Sequence, residues 1–354
     1  METEKIQKLE VAIKNLEDKT SRILFFVQDT NGNAKGGVRY TYQLAMILHN
    51  KGYNVTIVHE KNTYKGVAEW LGEEYMKIPH ESIENQSLKV SPEDFLIIPE
   101  IFGYIIEQIS NLPCGKVVLC QAYDNIFETL KPGMTWSDFG FYRCITTSET
   151  QKEYISSIMR NITYDVIEPF IPESFNPKPK PSKPIISIYT RDQRDTMKII
   201  KSFYIKFPQF RWITFRDMRG LTQEEYSEYL KDSFVSVWVD DISGFGTFPI
   251  ESMLSKTPVI GKVPNMKPEW MSDENGVWTY ESNNIIDVVA EFIQNWLEDN
   301  INEELYTKGL ETGLKYQNIE KFETRVVEVF DTFIESRLKS FKEQFEKIKV
   351  EEEV

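Results

Sequence analysis

Short, largely apolar runs recur along this chain, each followed by a helix-spaced or glycine- and proline-marked segment. Ile23–Val27 (ILFFV), Val55–Val58, Phe95–Ile98, Val117–Cys120 and Cys144–Thr146 form one series; Ile185–Tyr189, Trp212–Phe215, Val235–Val239 and Pro258–Ile260 form a second. A strand that is apolar at every position is buried on both faces, the condition of a parallel sheet covered by helices on each side. The alternation therefore predicts an α/β chain with doubly wound parallel sheets. At 354 residues it exceeds one ordinary core, so two lobes are expected.

The segmentation follows from the same pattern. Ile6, Leu9, Ile13 and Leu16 lie on one stripe of an amphipathic helix over residues 1–20, expected to cap the first domain, 21–176. Pro177–Pro184 (PKPKPSKP) resists helix and central strand, and marks 177–184 as the linker. A second domain follows over 185–318. Phe322, Val326, Val329, Phe330, Phe333 and Ile334 then predict a long helix in 319–354 that ends in a frayed acidic tail.

Composition narrows the function. A formal charge of −14 disfavours nucleic acid and anionic lipid, which attract cationic surfaces. Cys114, Cys120 and Cys144 have neither disulfide-framework nor zinc spacing, and with no signal-like or membrane-spanning run a cytoplasmic chain is expected. The three histidines, His49, His59 and His80, fall in no ligand spacing, so no metal site is expected.

The informative stretch is Gly244–Gly261, GFGTFPIESMLSKTPVIG, after the strand VSVWVDD. Glycines let the main chain approach a diphosphate, and a helix starting near Pro249 would offer unpaired N–H groups to it. The segment resembles the signature of retaining GT-B glycosyltransferases of the large sucrose-synthase and glycogen-synthase-like group. Three further pieces agree in order: Gly36 and Gly37 ahead of a helix, IIPEIFG with KVVLCQAYDNIF, and IISIYTRDQRDTMKII.

The resemblance implies a GT-B fold, two Rossmann-like domains facing a central cleft, with a nucleotide-sugar such as a UDP- or GDP-sugar as co-substrate and no other cofactor. It assigns Gln121, Ser243 and Glu251 to the catalytic set, Glu251 accepting the ribose hydroxyls. Donor binding falls to Gly36, Gly37, Arg191, Lys198, Gly244, Phe245, Gly246 and Glu251, with Arg194 competing for the role of Lys198. The family's first acidic residue is replaced by Ser243, with Asp240 and Asp241 just upstream. The acceptor implied is a glycan, a lipid-linked saccharide or another hydroxyl compound; a homo-oligomer stays open.

Three other readings compete. A silent nucleotide-sugar or glycan binder is motivated by Ser243. A phage-type DNA base glycosyltransferase shares the architecture. A dinucleotide oxidoreductase would use Glu60 after the second strand, but NGNAKGG lacks the G-x-G-x-x-G spacing.

Overall fold

The computed structural model describes residues 2–84, 88–179 and 184–352. It contains two compact units: Met1–Thr146 with Tyr154–Ile167 and Glu320–Val354, and Thr147–Glu153 with Glu168–Ile319. The strands are β1 (Arg22–Phe26), β2 (Asn54–His59), β3 (His80–Ser82), β4 (Phe95–Pro99), β5 (Gly115–Cys120), β6 (Arg143–Thr146), β7 (Thr163–Val166), β8 (Ile185–Thr190), β9 (Thr214–Asp217), β10 (Val235–Val239), β11 (Val259–Lys262) and β12 (Val277–Thr279). The helices are α1 (Glu2–Glu17), α2 (Gly36–Asn50), α3 (Gly103–Gln108), α4 (Asn125–Thr129), α5 (Glu149–Ile158), α6 (Gln193–Lys206), α7 (Gln223–Asp232), α8 (Thr247–Leu254), α9 (Ile285–Leu297), α10 (Glu303–Leu314) and α11 (Ile319–Glu352).

The first unit carries a seven-stranded sheet in the order β3-β2-β1-β4-β5-β6-β7, in which neighbouring strands run parallel. Order reverses between β1 and β4, so their carboxyl ends flank the crevice where open α/β sheets bind ligands. α2 ends as its sequence dictates: Gly52 adopts φ +87°, and the N–H groups of Gly52 and Tyr53 bond the carbonyls of His49 and Leu48. That arrangement satisfies the last carbonyls of the helix and needs a residue free of a Cβ penalty.

α11 packs on this first sheet. Phe330 lies 5.7 Å from Phe25 and 5.3 Å from Phe333, ring centroid to ring centroid. Polar contacts pin the rest of the helix: Lys51 to Glu323 at 2.7 Å, Tyr53 to Asp331 at 2.6 Å and Lys342 to Glu17 of α1 at 2.6 Å. Helix continues to Glu352, where the sequence suggests fraying.

The second unit has a five-stranded parallel sheet in the order β12-β11-β10-β8-β9. Its strands alternate faces: Ile186, Ile188, Val235, Val237 and Val239 join a core with Ile199, Phe203, Val289 and Ile293 of α6 and α9. Trp238 and Val259 join the opposite core, with Leu230 of α7 and Ile250, Met253 and Leu254 of α8. Ile171 and Phe175 are fully buried in that same core. This is why the second unit takes in the chain from Glu168, ahead of the proline-rich segment expected as the boundary at 177–184; within that segment, residues 180–183 lie outside the described ones. Among the described residues, no helix is long and apolar enough to cross a membrane.

Candidate active site

In the second sheet the order reverses between β8 and β10, and the residues leaving those two strands are Arg191 and Asp240. Arg191 N–H donates to the Val239 carbonyl at 2.8 Å, so the pairing continues one residue beyond β8. The Arg191 side chain is half-exposed while that of Asp240 is buried, with Nη1 and Oδ2 3.7 Å apart. Asp240 Oδ1 accepts the Ile242 N–H at 3.2 Å. Burial pushes the Asp240 carboxyl up; Arg191 and the N–H groups of Ile242 and Ser243 pull it back, while Asp241 adds to the rise.

Beyond Ser243, which is partly buried, the glycine turn is anchored through its carbonyls. Ser148 Oγ donates to the Gly244 carbonyl at 2.8 Å and Trp270 Nε1 to the Phe245 carbonyl at 2.7 Å. A trans peptide points its N–H opposite its C=O, so the N–H groups of Phe245 and Gly246 face away from these anchors. Gly246 is the N-cap of α8 at φ +78°, with no side-chain cap. The N-terminus of α8 thus begins at this turn, with the partial positive charge that suits an anion.

Two expected donor residues contribute differently from the sequence picture. The ring of Phe245 is buried 5.0 Å from that of Tyr316, so only its main chain is available to a ligand. α8 starts at Thr247, two residues before Pro249, which places Glu251 in its second turn. The Glu251 carboxylate is 1% exposed and accepts from Tyr226 Oη at 2.9 Å.

Lys198, expected at the donor diphosphate, is exposed on α6. It pairs with Asp195 at 3.0 Å on the exposed face of α6, and Arg194 is likewise exposed beside Asp192. Two other cations, which no motif in the sequence marks, stand at the carboxyl edge of the sheet. Lys262, ending β11, pairs with Asp241 at 2.6 Å. Arg219, after β9, spends its guanidinium on Asp217 and on the Thr190 hydroxyl, each at 2.9 Å.

In the first unit, Gly36, Gly37 and Gln121 do come together. α2 begins at Gly36, and a Cβ on Gly37 would lie 2.8 Å from Gln121 Oε1. Gln121 follows β5, and its loop is held by Glu100, 2% exposed at the end of β4. That carboxylate accepts from Gln121 N and Ala122 N at 3.0 Å and from Asn125 Nδ2 at 2.8 Å. Burial raises the Glu100 carboxyl and the three donors pull it back. An acid directly after the apolar strand of IIPEIFG was the available signal for it. Among the described residues, no group of three or more His, Cys, Asp or Glu side chains is placed to hold a metal.

Known proteins resemble this chain in sequence and in fold. The alpha-1,6-glucosyltransferase of Actinobacillus pleuropneumoniae serotype 7 is 23% identical over 270 residues, covering 73% of this chain and 81% of that protein. Sucrose-phosphate synthase from Thermosynechococcus elongatus superposes with a TM-score of 0.65 at 13% identity, over 89% of this chain and 100% of that one. Anabaena HepE in complex with UDP-glucose gives 0.61 at 11% identity, over 88% and 99%. No protein-family model matches the chain. The fold is GT-B, the fold of these solved structures.

Proposed function

We propose that this chain transfers a sugar from a UDP- or GDP-sugar to a hydroxyl of a glycan, lipid-linked saccharide or similar acceptor, with retention at the anomeric carbon and without a metal. The observation that carries the reading is the second unit's switch point, where Arg191 pairs with Asp240 at the start of the segment that runs into a carbonyl-anchored glycine turn and opens α8. HepE was solved with UDP-glucose and the bacterial relative is named a glucosyltransferase, which supports UDP-glucose as the first donor to try.

In this reading the diphosphate lies on the N–H groups of Phe245, Gly246 and Thr247. Arg191 offsets the charge that grows on the leaving group. A second cation assists, Lys198 by family resemblance or Lys262 by its place at the end of β11. Glu251 takes the ribose hydroxyls in place of Tyr226, Ser243 faces the transferred sugar, and Gln121 with the Gly36–Gly37 main chain serves the acceptor side. The acceptor oxygen bonds the anomeric carbon on the face the phosphate leaves, the bond from that carbon to the phosphate oxygen breaks, and the departing phosphate takes the hydroxyl proton. No enzyme nucleophile is needed. Buried thiols at Cys114, Cys120 and Cys144 support a cytoplasmic setting.

The test is turnover of UDP-glucose, UDP-N-acetylglucosamine and GDP-mannose with a panel of glycans in excess EDTA, read by mass spectrometry, with anomeric configuration by NMR. Retained products in EDTA are expected; inverted products or a strict metal requirement would overturn the corresponding part. Ser243 and the buried Glu251 favour one second reading, a silent binder, which predicts donor binding with neither transfer nor nucleotide release.

A further inference from the structure

The half-exposed side chain of Arg191 leaves an electrostatic question at the donor site: what holds its guanidinium in place. Among the described residues, Asp240 is the carboxylate paired with its guanidinium. It leaves β10 where Arg191 leaves β8, and those strands pair in register, Val239 against Thr190. Both side chains therefore start from neighbouring main-chain positions on the rigid edge of a sheet. The carboxylate is 5% exposed, and its Oδ1 closes a tight turn through Ile242 N–H at 3.2 Å, a local bond that Asp side chains make readily.

A buried carboxylate with one cationic neighbour is costly to leave unpaired. Its attraction restrains Arg191, whose own side chain is otherwise half-exposed and would lose rotamer freedom on binding an anion. The same carboxylate fixes the start of the segment that carries Ser243 and the glycine turn. One acid thus sets both walls of the switch point.

We propose that Asp240 is the positioning acid of the donor site: from the strand end it pre-orders the Arg191 guanidinium and the 240–246 turn. This rests on the donor-site reading above. Asp240 acts through Arg191, not on the sugar, and that distinction can be measured. Simple Coulomb reasoning predicts the reverse outcome, because removing a negative charge beside a phosphate site should tighten anion binding.

The experiment is a double-mutant cycle on the full chain, with UDP and GDP as the probes and calorimetry as the readout. Arg191→Ala is expected to weaken binding by more than about tenfold and Asp240→Asn by about fivefold, as for the loss of a charge-assisted contact. The double variant should bind no more than about twofold worse than Arg191→Ala alone, because coupled residues do not add. Asp240→Ser keeps an oxygen for the turn without the charge, and should match Asp240→Asn; it also serves if the asparagine variant folds poorly, judged by circular dichroism. Affinity unchanged or tightened in both Asp240 variants, or losses that multiply in the double variant, would overturn the proposal while leaving the donor site standing. If the wild-type chain binds neither nucleotide, the donor-site reading itself fails, and this inference falls with it.

Discussion

The Cβ that Gly246 lacks would sit 2.9 Å from Cζ2 of Trp238, inside the contact distance that real Cβ atoms tolerate. The same residue holds φ +78°, which side chains disfavour by about 1–2 kcal/mol. Trp238 is 1% exposed at the heart of the second core and cannot retreat. Gly246→Ala is therefore expected to cost about 2–4 kcal/mol, combining backbone strain with overpacking, and to displace the start of α8. Urea unfolding measures the first effect and UDP affinity the second. A midpoint indistinguishable from wild type would show that the turn relaxes freely.

Phe330 carries the docking of the C-terminal helix. It is 1% exposed between Phe25 and Phe333, and truncation of a buried phenylalanine costs about 3–5 kcal/mol. Because α11 packs on the first sheet, Phe330→Ala should loosen β1 and leave β10 alone. Hydrogen exchange read by mass spectrometry checks this: amides of Arg22–Phe26 lose protection while those of Val235–Val239 keep it. Equal loss in both strands would contradict the assignment of α11 to the first unit.

These two sites also show what could be read from the chain. Central strands such as Val235–Val239 were legible because burial on both faces leaves nearly every position apolar, Ser236 being the exception here. The edge strands His80–Ser82, Thr163–Val166 and Val277–Thr279 were not, since a partly covered strand of three or four mixed residues has no periodicity to detect. Glycines at 37 and 246 announced their turns. For Asp240, Glu100 and Lys262 the chain shows a charge at a strand end but not its partner, because that partner comes from a neighbouring strand end or loop. The partner of α11 was equally hidden: an apolar helical face says that something covers it, and nothing about which sheet.

The first unit should weaken in mild acid. His59 stacks on Tyr64 at 4.5 Å and its Nδ1 lies 2.8 Å from the Lys61 carbonyl, while His80 Nε2 lies 3.0 Å from Tyr42 Oη. Burial pushes both imidazoles below the ordinary histidine value of 6.5, and His59 adds to the effect on His80. The unfolded chain then binds protons that the folded chain refuses, so stability rises with pH. Their contribution is complete above pH 6.5 and is lost as the pH falls through the depressed folded values. Urea midpoints at about pH 7.5, 6.5 and 5.5 should fall in that order, on either side of the ordinary histidine range. The double variant His59→Asn with His80→Asn should flatten the drop; an unchanged slope would assign the acid sensitivity to other groups.

Gln121 and Gly37 offer the sharpest test on the acceptor side. A methyl group on Gly37 would meet the Gln121 amide, with Oε1 nearest at 2.8 Å, the far end of a flexible side chain, so Gly37→Ala should cost little stability, about 1 kcal/mol or less. It should instead swing the amide away from its place beside Thr41 Oγ1, 3.4 Å from Nε2. If that amide meets the acceptor, Gly37→Ala and Gln121→Ala should each raise the acceptor KM by about tenfold, the value of one lost polar contact, with UDP affinity held within about twofold. The two changes remove one and the same interaction, so their combination should be no worse than Gln121→Ala alone. Steady-state kinetics with donor and acceptor varied separately decides it. A loss confined to donor binding would move Gln121 out of the acceptor site.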